Sequence, residues 1–186
     1  MNKMLLLAAA WLLSLPLWAA NPSVEIKTSQ GTIVAEIYSD KAPKSGANFL
    51  QYVRDGYYDG SIFHRVIDGF MIQGGGFSAD LKQKSTRAPI ENEGGNGLRN
   101  SAGTLAMART SDPNSATSQF YINLVDNDML DRSVGNAGYA VFGRVTQGFD
   151  VVARIAKLPT GNMGPFRDLP KTTIVIESVR LLADKK

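Results

Sequence analysis

Arg65 is the residue whose surroundings most suggest chemistry. In the run Phe63-His64-Arg65-Val66-Ile67, strand alternation would set Phe63, Arg65 and Ile67 on one face. A guanidinium beside two large apolar groups is costly unless it is hydrogen-bonded or lines an open groove. The plainer alternative is a salt bridge to a neighbouring carboxylate. Met71 and Gln73 follow on a common face, with Phe70 adjacent, and Gln119-Phe120-Tyr121 repeats the pairing of aromatic ring and neutral amide. An arginine, two glutamines and several aromatics, with neither nucleophile nor metal ligand, suit recognition of a peptide backbone beside an apolar side chain.

Other chemistries find little support. The chain has no cysteine and one histidine, His64, which excludes a thiol nucleophile, cysteine-ligated zinc and a disulfide framework. No Gly-x-Ser-x-Gly elbow accompanies His64, so a hydrogen-bonded structural histidine is expected there. Composition leaves room for a Ser–Lys hydrolase, but no motif supports one. The acidic run Asp126–Asp131 has Leu130 and Asp131 where a calcium loop needs a ligand and a glycine, so it reads as a solvated turn. Gly74-Gly75-Gly76 lacks the downstream Gly-Lys-Ser/Thr of a phosphate loop and fits close backbone packing instead. No metal or other cofactor is expected. Twenty basic against 17 acidic residues give a net charge of +3, too small and scattered for a nucleic-acid footprint.

The elements that must position these residues are mostly short strands. Residues 24–28 and 32–38 alternate about Ser29-Gln30-Gly31 and read as a hairpin. Further strand-like runs lie at 62–67, 70–73, 104–108, 120–124, 140–145 and 172–182. Pro43 opens a helix with Ala47, Leu50 and Val53 at helical spacing and Gly56 to close it; a second spans 149–158 with Val152, Ile155 and Ala156 as its stripe. Between Gly74 and Gly103 periodicity is lost, an excursion long enough to suggest function. A chain of 186 residues, 44% hydrophobic and 20% charged, holds one domain. About eight strands and two helices suggest a closed barrel capped by helices.

The first twenty residues read as a secretory leader. Lys3 precedes an apolar run from Met4 to Leu17, broken only by Ser14 and Pro16, and the small pair Ala19-Ala20 stands before polar Asn21. Cleavage after Ala19 or Ala20 is expected, with residues 21–186 as the exported domain; an uncleaved anchor is the alternative.

Beyond composition and periodicity, Phe63-His64-Arg65-Val66-Ile67-Asp68-Gly69-Phe70-Met71-Ile72-Gln73-Gly74-Gly75 resembles the signature of the cyclophilin family of peptidyl-prolyl cis–trans isomerases. Asn114–Ile122 and Tyr139–Val145 resemble its second and third blocks, and the likeness runs from Val24 to Leu182. With Asn96–Asn100 and the leader, the chain is most similar to the periplasmic cyclophilins of Gram-negative bacteria. The resemblance implies a mainly β fold, an eight-stranded antiparallel closed barrel capped by two α-helices, with the substrate groove outside. It implies isomerisation of X–Pro bonds in exported, folding or flexible polypeptides, without covalent intermediate or cofactor. A peptide-binding chaperone on the same scaffold is the rival reading.

By the same resemblance Arg65 is the catalytic arginine, acting with Phe70 and Gln73. Phe70, Met71, Tyr121 and Leu130 form the proline pocket, Gln73 and Gln119 bond along the groove, and Ala108 and Arg109 lie on the edge that meets the substrate backbone. Met129 and Tyr139 join the substrate-binding set at positions where the best-known relatives carry tryptophan and histidine, and Arg109 replaces an asparagine. The loss of the tryptophan implies weak cyclosporin binding. Asp68 replaces a proline, and the loop at Ser111-Asp112-Pro113 is one residue longer. A monomer is expected, with no nucleic-acid partner and no stable membrane association after the leader is removed.

Overall fold

In a computed structural model that describes residues 21–183, β1 (Ser23–Thr28) and β2 (Gly31–Ile37) form the expected hairpin. Val24, Ile26, Ile33, Ala35 and Ile37 face inward and are fully buried. The chain continues through α1 (Pro43–Arg54), β3 (Ser61–Ile67), β4 (Met71–Ser78), β5 (Thr104–Met107), β6 (Phe120–Asn123), β7 (Val141–Gln147) and α2 (Phe149–Ala156). It ends with β8 (Thr160–Met163), β9 (Phe166–Pro170) and β10 (Val175–Leu181). Eight strands close an antiparallel barrel in the order β1-β10-β3-β4-β6-β5-β7-β2, while β8 and β9 pair only with each other. The leader expected over residues 1–20 lies outside the described residues. Among the described residues no helix is long and apolar enough to cross a membrane.

Two helices cap the barrel. α2 buries Val151, Val152, Ile155 and Ala156, the expected stripe with one addition. In α1 Leu50 and Val53 are buried as expected, but Ala47 is exposed, and Gly46, Phe49 and Tyr52 also turn inward. Phe49 sets that phase, because its ring meets Tyr58, Phe120 and Phe142 at centroid distances of 5.2, 5.4 and 5.1 Å. Ala42, at the cap position, offers no side-chain acceptor to the first free N–H groups of the helix. Glu93 supplies one from far along the chain: its carboxylate accepts from the Lys44 and Ser45 N–H groups at 3.0 and 2.7 Å and from the Ser45 hydroxyl at 2.6 Å. That cap anchors the irregular segment, which begins after Ser78 and not at Gly74, since β4 runs through the glycine triplet.

Those glycines permit close packing. A Cβ at Gly74 would meet the Ile62 carbonyl at 2.8 Å, and one at Gly75, where φ is +81°, would meet the Tyr58 ring at 2.8 Å. The β8–β9 hairpin was not expected from sequence: its polar, glycine- and proline-broken residues show no alternation. The last strand also starts at Val175, three residues later than the 172–182 run suggested.

The largest departure from simple alternation is in β3. Phe63 pairs with Gly74 and Arg65 with Gln73, so one extra residue, His64, sits in β3 between those pairs. Phe63 and Val66 therefore point into the barrel core, while Arg65 and Ile67 face outward. The expectation that Phe63 shares a face with Arg65 is corrected by this bulge.

His64 is buried outside the barrel, 7% exposed, with its ring edge-on to Phe77 at 4.6 Å and Phe166 at 6.4 Å. It is structural, as expected, but its Nδ1 has no hydrogen-bond partner. Burial, reinforced by the Arg65 charge and partly offset by the Ile62 carbonyl, holds its pKa down at about 4. The unfolded chain takes up this proton near pH 6.5, so acid favours unfolding between there and about pH 4. A gap from 6.5 to about 4 corresponds to on the order of 3 kcal/mol, present above pH 6.5 and lost as pH falls through that window. Urea unfolding from pH 8 to 3.5 should show a shallower acid slope for His64→Phe than for wild type; identical slopes would refute the assignment.

Candidate active site

Pairing across four neighbouring strands lays out the site. Arg65 on β3 pairs with Gln73 on β4, Gln73 with Tyr121 on β6, and Tyr121 with Ala106 on β5. On the outer face of this row, Met71, Ala106, Tyr121 and Val141 form a second buried apolar cluster, separate from the barrel core. Ile67, Phe70, Ala108, Leu130 and Tyr139 pack around it. Above that floor lies a pocket of about 240 Å³ lined by Arg65, Phe70, Met71, Gln73, Ala108, Arg109, Tyr121, Leu130 and Tyr139. A roomier cavity of about 420 Å³ beneath the β8–β9 hairpin shares none of these residues, and its polar side chains are Asn162, Lys171 and Thr173.

Eleven site residues were expected, and nine of them line this one pocket. Gln119 stands beside it, accepting a 2.9 Å hydrogen bond from the Gln73 amide. Gly76 makes room for that bond, because a Cβ there would lie 2.5 Å from the Gln119 side chain. Met129 does not line the pocket; it is 73% exposed in the 3₁₀ turn Asp128–Leu130. Arg109 is fixed at the rim: its guanidinium stacks 4.3 Å from the Tyr139 ring centre and donates twice to the Gly138 carbonyl at 3.2 Å. The Ala108 N–H is already bonded to the Gln119 carbonyl at 3.0 Å.

Three buried asparagines that sequence reading did not single out tie the pocket walls together. Tyr121 donates its hydroxyl to Asn100 Oδ1 at 2.7 Å, and Asn123 donates to the same oxygen at 3.3 Å. Asn127 donates to Asn123 Oδ1 at 2.8 Å and to the Phe70 carbonyl at 3.0 Å. Asp131 accepts from the Asn100 N–H and side-chain amide at 2.7 and 2.9 Å. Asp126 accepts from the Ala102 N–H at 2.8 Å, so two of the acidic run's carboxylates hold loops. Burial, aided by Tyr139 and Asp131 and opposed by Arg109, pushes the Tyr121 phenol well above its ordinary pKa, so it stays a donor. Only the Asx-prone composition of 96–131 hinted at this network.

Among the described residues Arg65 makes one salt bridge. Asp168, on β9, places Oδ2 3.7 Å from Arg65 Nε, and both side chains are about two-fifths exposed. The salt bridge and the open groove, alternatives in sequence, coexist.

The family model described as cyclophilin-type peptidyl-prolyl cis–trans isomerase matches residues 23–181. The chain belongs to the cyclophilin family. It is 56% identical to a peptidyl-prolyl cis–trans isomerase of Acinetobacter baylyi, covering 87% of this chain and 86% of that one. It is 49% identical to peptidyl-prolyl cis–trans isomerase A of Dickeya dadantii, covering 98% and 99%. Among solved structures, a Cryptosporidium parvum cyclophilin-type isomerase, crystallised in the presence of the dipeptide Ala-Pro, superposes with a TM-score of 0.71 at 28% identity. That match covers 87% of this chain and 99% of the other. The protein is accordingly a peptidyl-prolyl cis–trans isomerase with the eight-stranded, two-helix fold of its family.

For this cyclophilin, if Arg65 is the catalytic group that the family resemblance implies, the Asp168 contact predicts a positioning effect. A half-exposed ion pair contributes about 0.2–1 kcal/mol, so restraint of Arg65 should be worth up to about fivefold in turnover. Asp168 has φ +54°, a conformation asparagine also tolerates, so Asp168→Asn removes charge without adding backbone strain. Expected is a two- to fivefold lower kcat with little change in KM, and a weaker salt dependence than wild type, whose ion pair is screened. Wild-type kcat at low salt in the Asn variant would remove Asp168 from the mechanism.

Proposed function

We propose that this chain is exported and accelerates X–Pro isomerisation in folding or flexible polypeptides, by a purely non-covalent route centred on Arg65. The observation that carries the reading is the Arg65 guanidinium lining one pocket with the apolar side chains of Phe70, Met71 and Leu130 and the ring of Tyr121, beside the polar Gln73 and Arg109. Rotation about the amide must break its resonance, over a barrier of about 18–20 kcal/mol. In the twisted amide the nitrogen becomes pyramidal and its lone pair localises. A donor aimed at that nitrogen stabilises the twisted form over both planar ones, which is catalysis by differential binding. Arg65 suits the task because its charge is permanent and its donors lie in a rigid plane.

Phe70, Met71, Tyr121 and Leu130 hold the ring while the preceding carbonyl swings. Gln73, steadied by Gln119, offers its amide to that carbonyl or to the chain beyond it. No side chain need form a covalent bond to substrate; like any catalyst the enzyme changes rate alone, and the near-equal energies of the X–Pro isomers leave both populated.

Exchange NMR on an Ala-Pro peptide with catalytic amounts of protein tests this directly. Uncatalysed exchange takes about 10–100 s, so catalysis brings new cross-peaks into view. A charge-assisted hydrogen bond contributes about 1.5–3 kcal/mol, so a folded Arg65→Ala variant should be roughly ten- to a hundredfold slower. Equal rates in the two proteins would defeat the role given to Arg65.

Export rests on the Lys3, Met4–Leu17, Ala19-Ala20 pattern. Expression of the full chain in a Gram-negative host should yield protein released by osmotic shock and beginning at Ala20 or Asn21. Retention of Met1 on protein confined to the cytoplasm would contradict it.

A further inference from the structure

We infer that the recess on the far side of Arg65 is a second substrate subsite, built for an aromatic or large aliphatic side chain within two residues of the proline. The inference rests on the isomerase reading of the Arg65 pocket and extends it. The recess holds about 550 Å³; the rings of His64, Phe77 and Phe166 line it together with the polar or charged side chains of Arg65, Gln119 and Arg167. Phe77 and Phe166 meet nearly edge-on, 5.0 Å apart, and His64 stands edge-on to both. Phe77 and Phe166 are only half-buried, so apolar ring surface remains to be covered. His64, neutral above about pH 4, presents an uncharged wall at working pH.

Continuity with the first pocket identifies the occupant. Arg65 lines both cavities, and the Gln73–Gln119 hydrogen bond links a residue of one to a residue of the other. Because Arg65 borders both cavities, a substrate with its proline held in the first and continuing in extended form, at about 3.3–3.6 Å per residue, brings a neighbouring residue to the second. The hairpin β8–β9 supplies both Phe166, which walls the recess, and Asp168, which faces Arg65. One element thus shapes the subsite and borders the catalytic group.

The test is a set of Ala-based proline peptides with phenylalanine walked from two residues before the proline to two residues after, and glutamate walked through the same positions. Each is assayed by exchange NMR with wild type and Phe166→Ala, and read as kcat/KM relative to the all-alanine peptide. Partial burial of a phenyl ring predicts a gain of about five- to tenfold at one position in wild type, falling to twofold or less in Phe166→Ala. Reading a ratio cancels any change passed to Arg65 through β9. No position with a gain, a gain that survives Phe166→Ala, or a larger gain for glutamate would each overturn the subsite. No turnover of the all-alanine peptide by wild type would instead overturn the isomerase reading beneath it. Should Phe166→Ala not fold, nuclear Overhauser contacts in wild type between the peptide phenyl and the Phe77 or Phe166 rings decide, and their absence at every position counts against the proposal.

Discussion

One inserted residue in β3 governs the site. A strand sends alternate side chains to opposite faces, and without the bulge the faces of Phe63 and Arg65 would be the same. Either the guanidinium would enter the barrel core, where an unpaired charge is prohibitive, or Phe63 would leave the aromatic packing it shares with Phe120. The bulge at His64 lets Phe63 stay inside and Arg65 face the groove. Its cost is a histidine that must be buried neutral with an unbonded Nδ1. The β8–β9 hairpin meets part of that cost by laying Phe166 against the imidazole, and the same hairpin brings Asp168 to Arg65.

The outer apolar cluster raises a second physical question, since a barrel strand usually turns polar residues outward. Here Met71, Ala106, Tyr121 and Val141 are buried outside the barrel because loops cover them. Covering loops carry backbone groups that need partners. The asparagines provide them: Asn127 takes the Phe70 carbonyl, Asn96 donates to the Val141 carbonyl at 2.9 Å, and Asn92 to the Ala137 and Gly138 carbonyls at 3.2 and 3.1 Å. Side-chain hydrogen bonds thereby tie the loop segments to the pocket walls, which is what a clamp needs if its geometry is to favour one transition state.

How much of this could be read from the chain differs by kind of feature. The pocket residues stand in long contiguous runs, Phe63–Gly75 and Asn114–Ile122, whose order identifies them together, and the fold followed from the same runs. Features made by pairing distant, individually unremarkable residues were not legible. Glu93 caps a helix 49 positions away in sequence from Lys44, and nothing in either segment announces it. Thr160–Pro170 shows no alternation, so its Gly164-Pro165 turn signal joins runs that do not read as strands, and β9 packs against β3. The bulge is invisible to a period-two reading because Phe63, Arg65 and Ile67 fit that period well. Met129 was placed by motif position, yet the 3₁₀ turn carries it to the surface and gives its neighbour Leu130 to the pocket.

With Arg65 in the role proposed for it, energetics account for the amount of structure around a single arginine. A millionfold acceleration requires about 8 kcal/mol of transition-state stabilisation, and one charge-assisted hydrogen bond supplies about 1.5–3 kcal/mol. The remainder must come from holding the ring still and from the medium in which the hydrogen bond forms. In the free protein Arg65 is about two-fifths exposed, so water weakens its field. A peptide laid over the apolar floor displaces that water, and each charge–dipole interaction strengthens as the local dielectric falls. The substrate is therefore part of the electrostatic design: the longer the peptide segment covering Arg65 on both sides, the drier the guanidinium. A site walled by apolar residues on only one side would leave the other edge of Arg65 wet. In the proposed arrangement the aromatic surface of Phe77 and Phe166 on that second side would give neighbouring substrate residues a reason to lie there, and so would couple recognition of the chain to the strength of the hydrogen bond from Arg65.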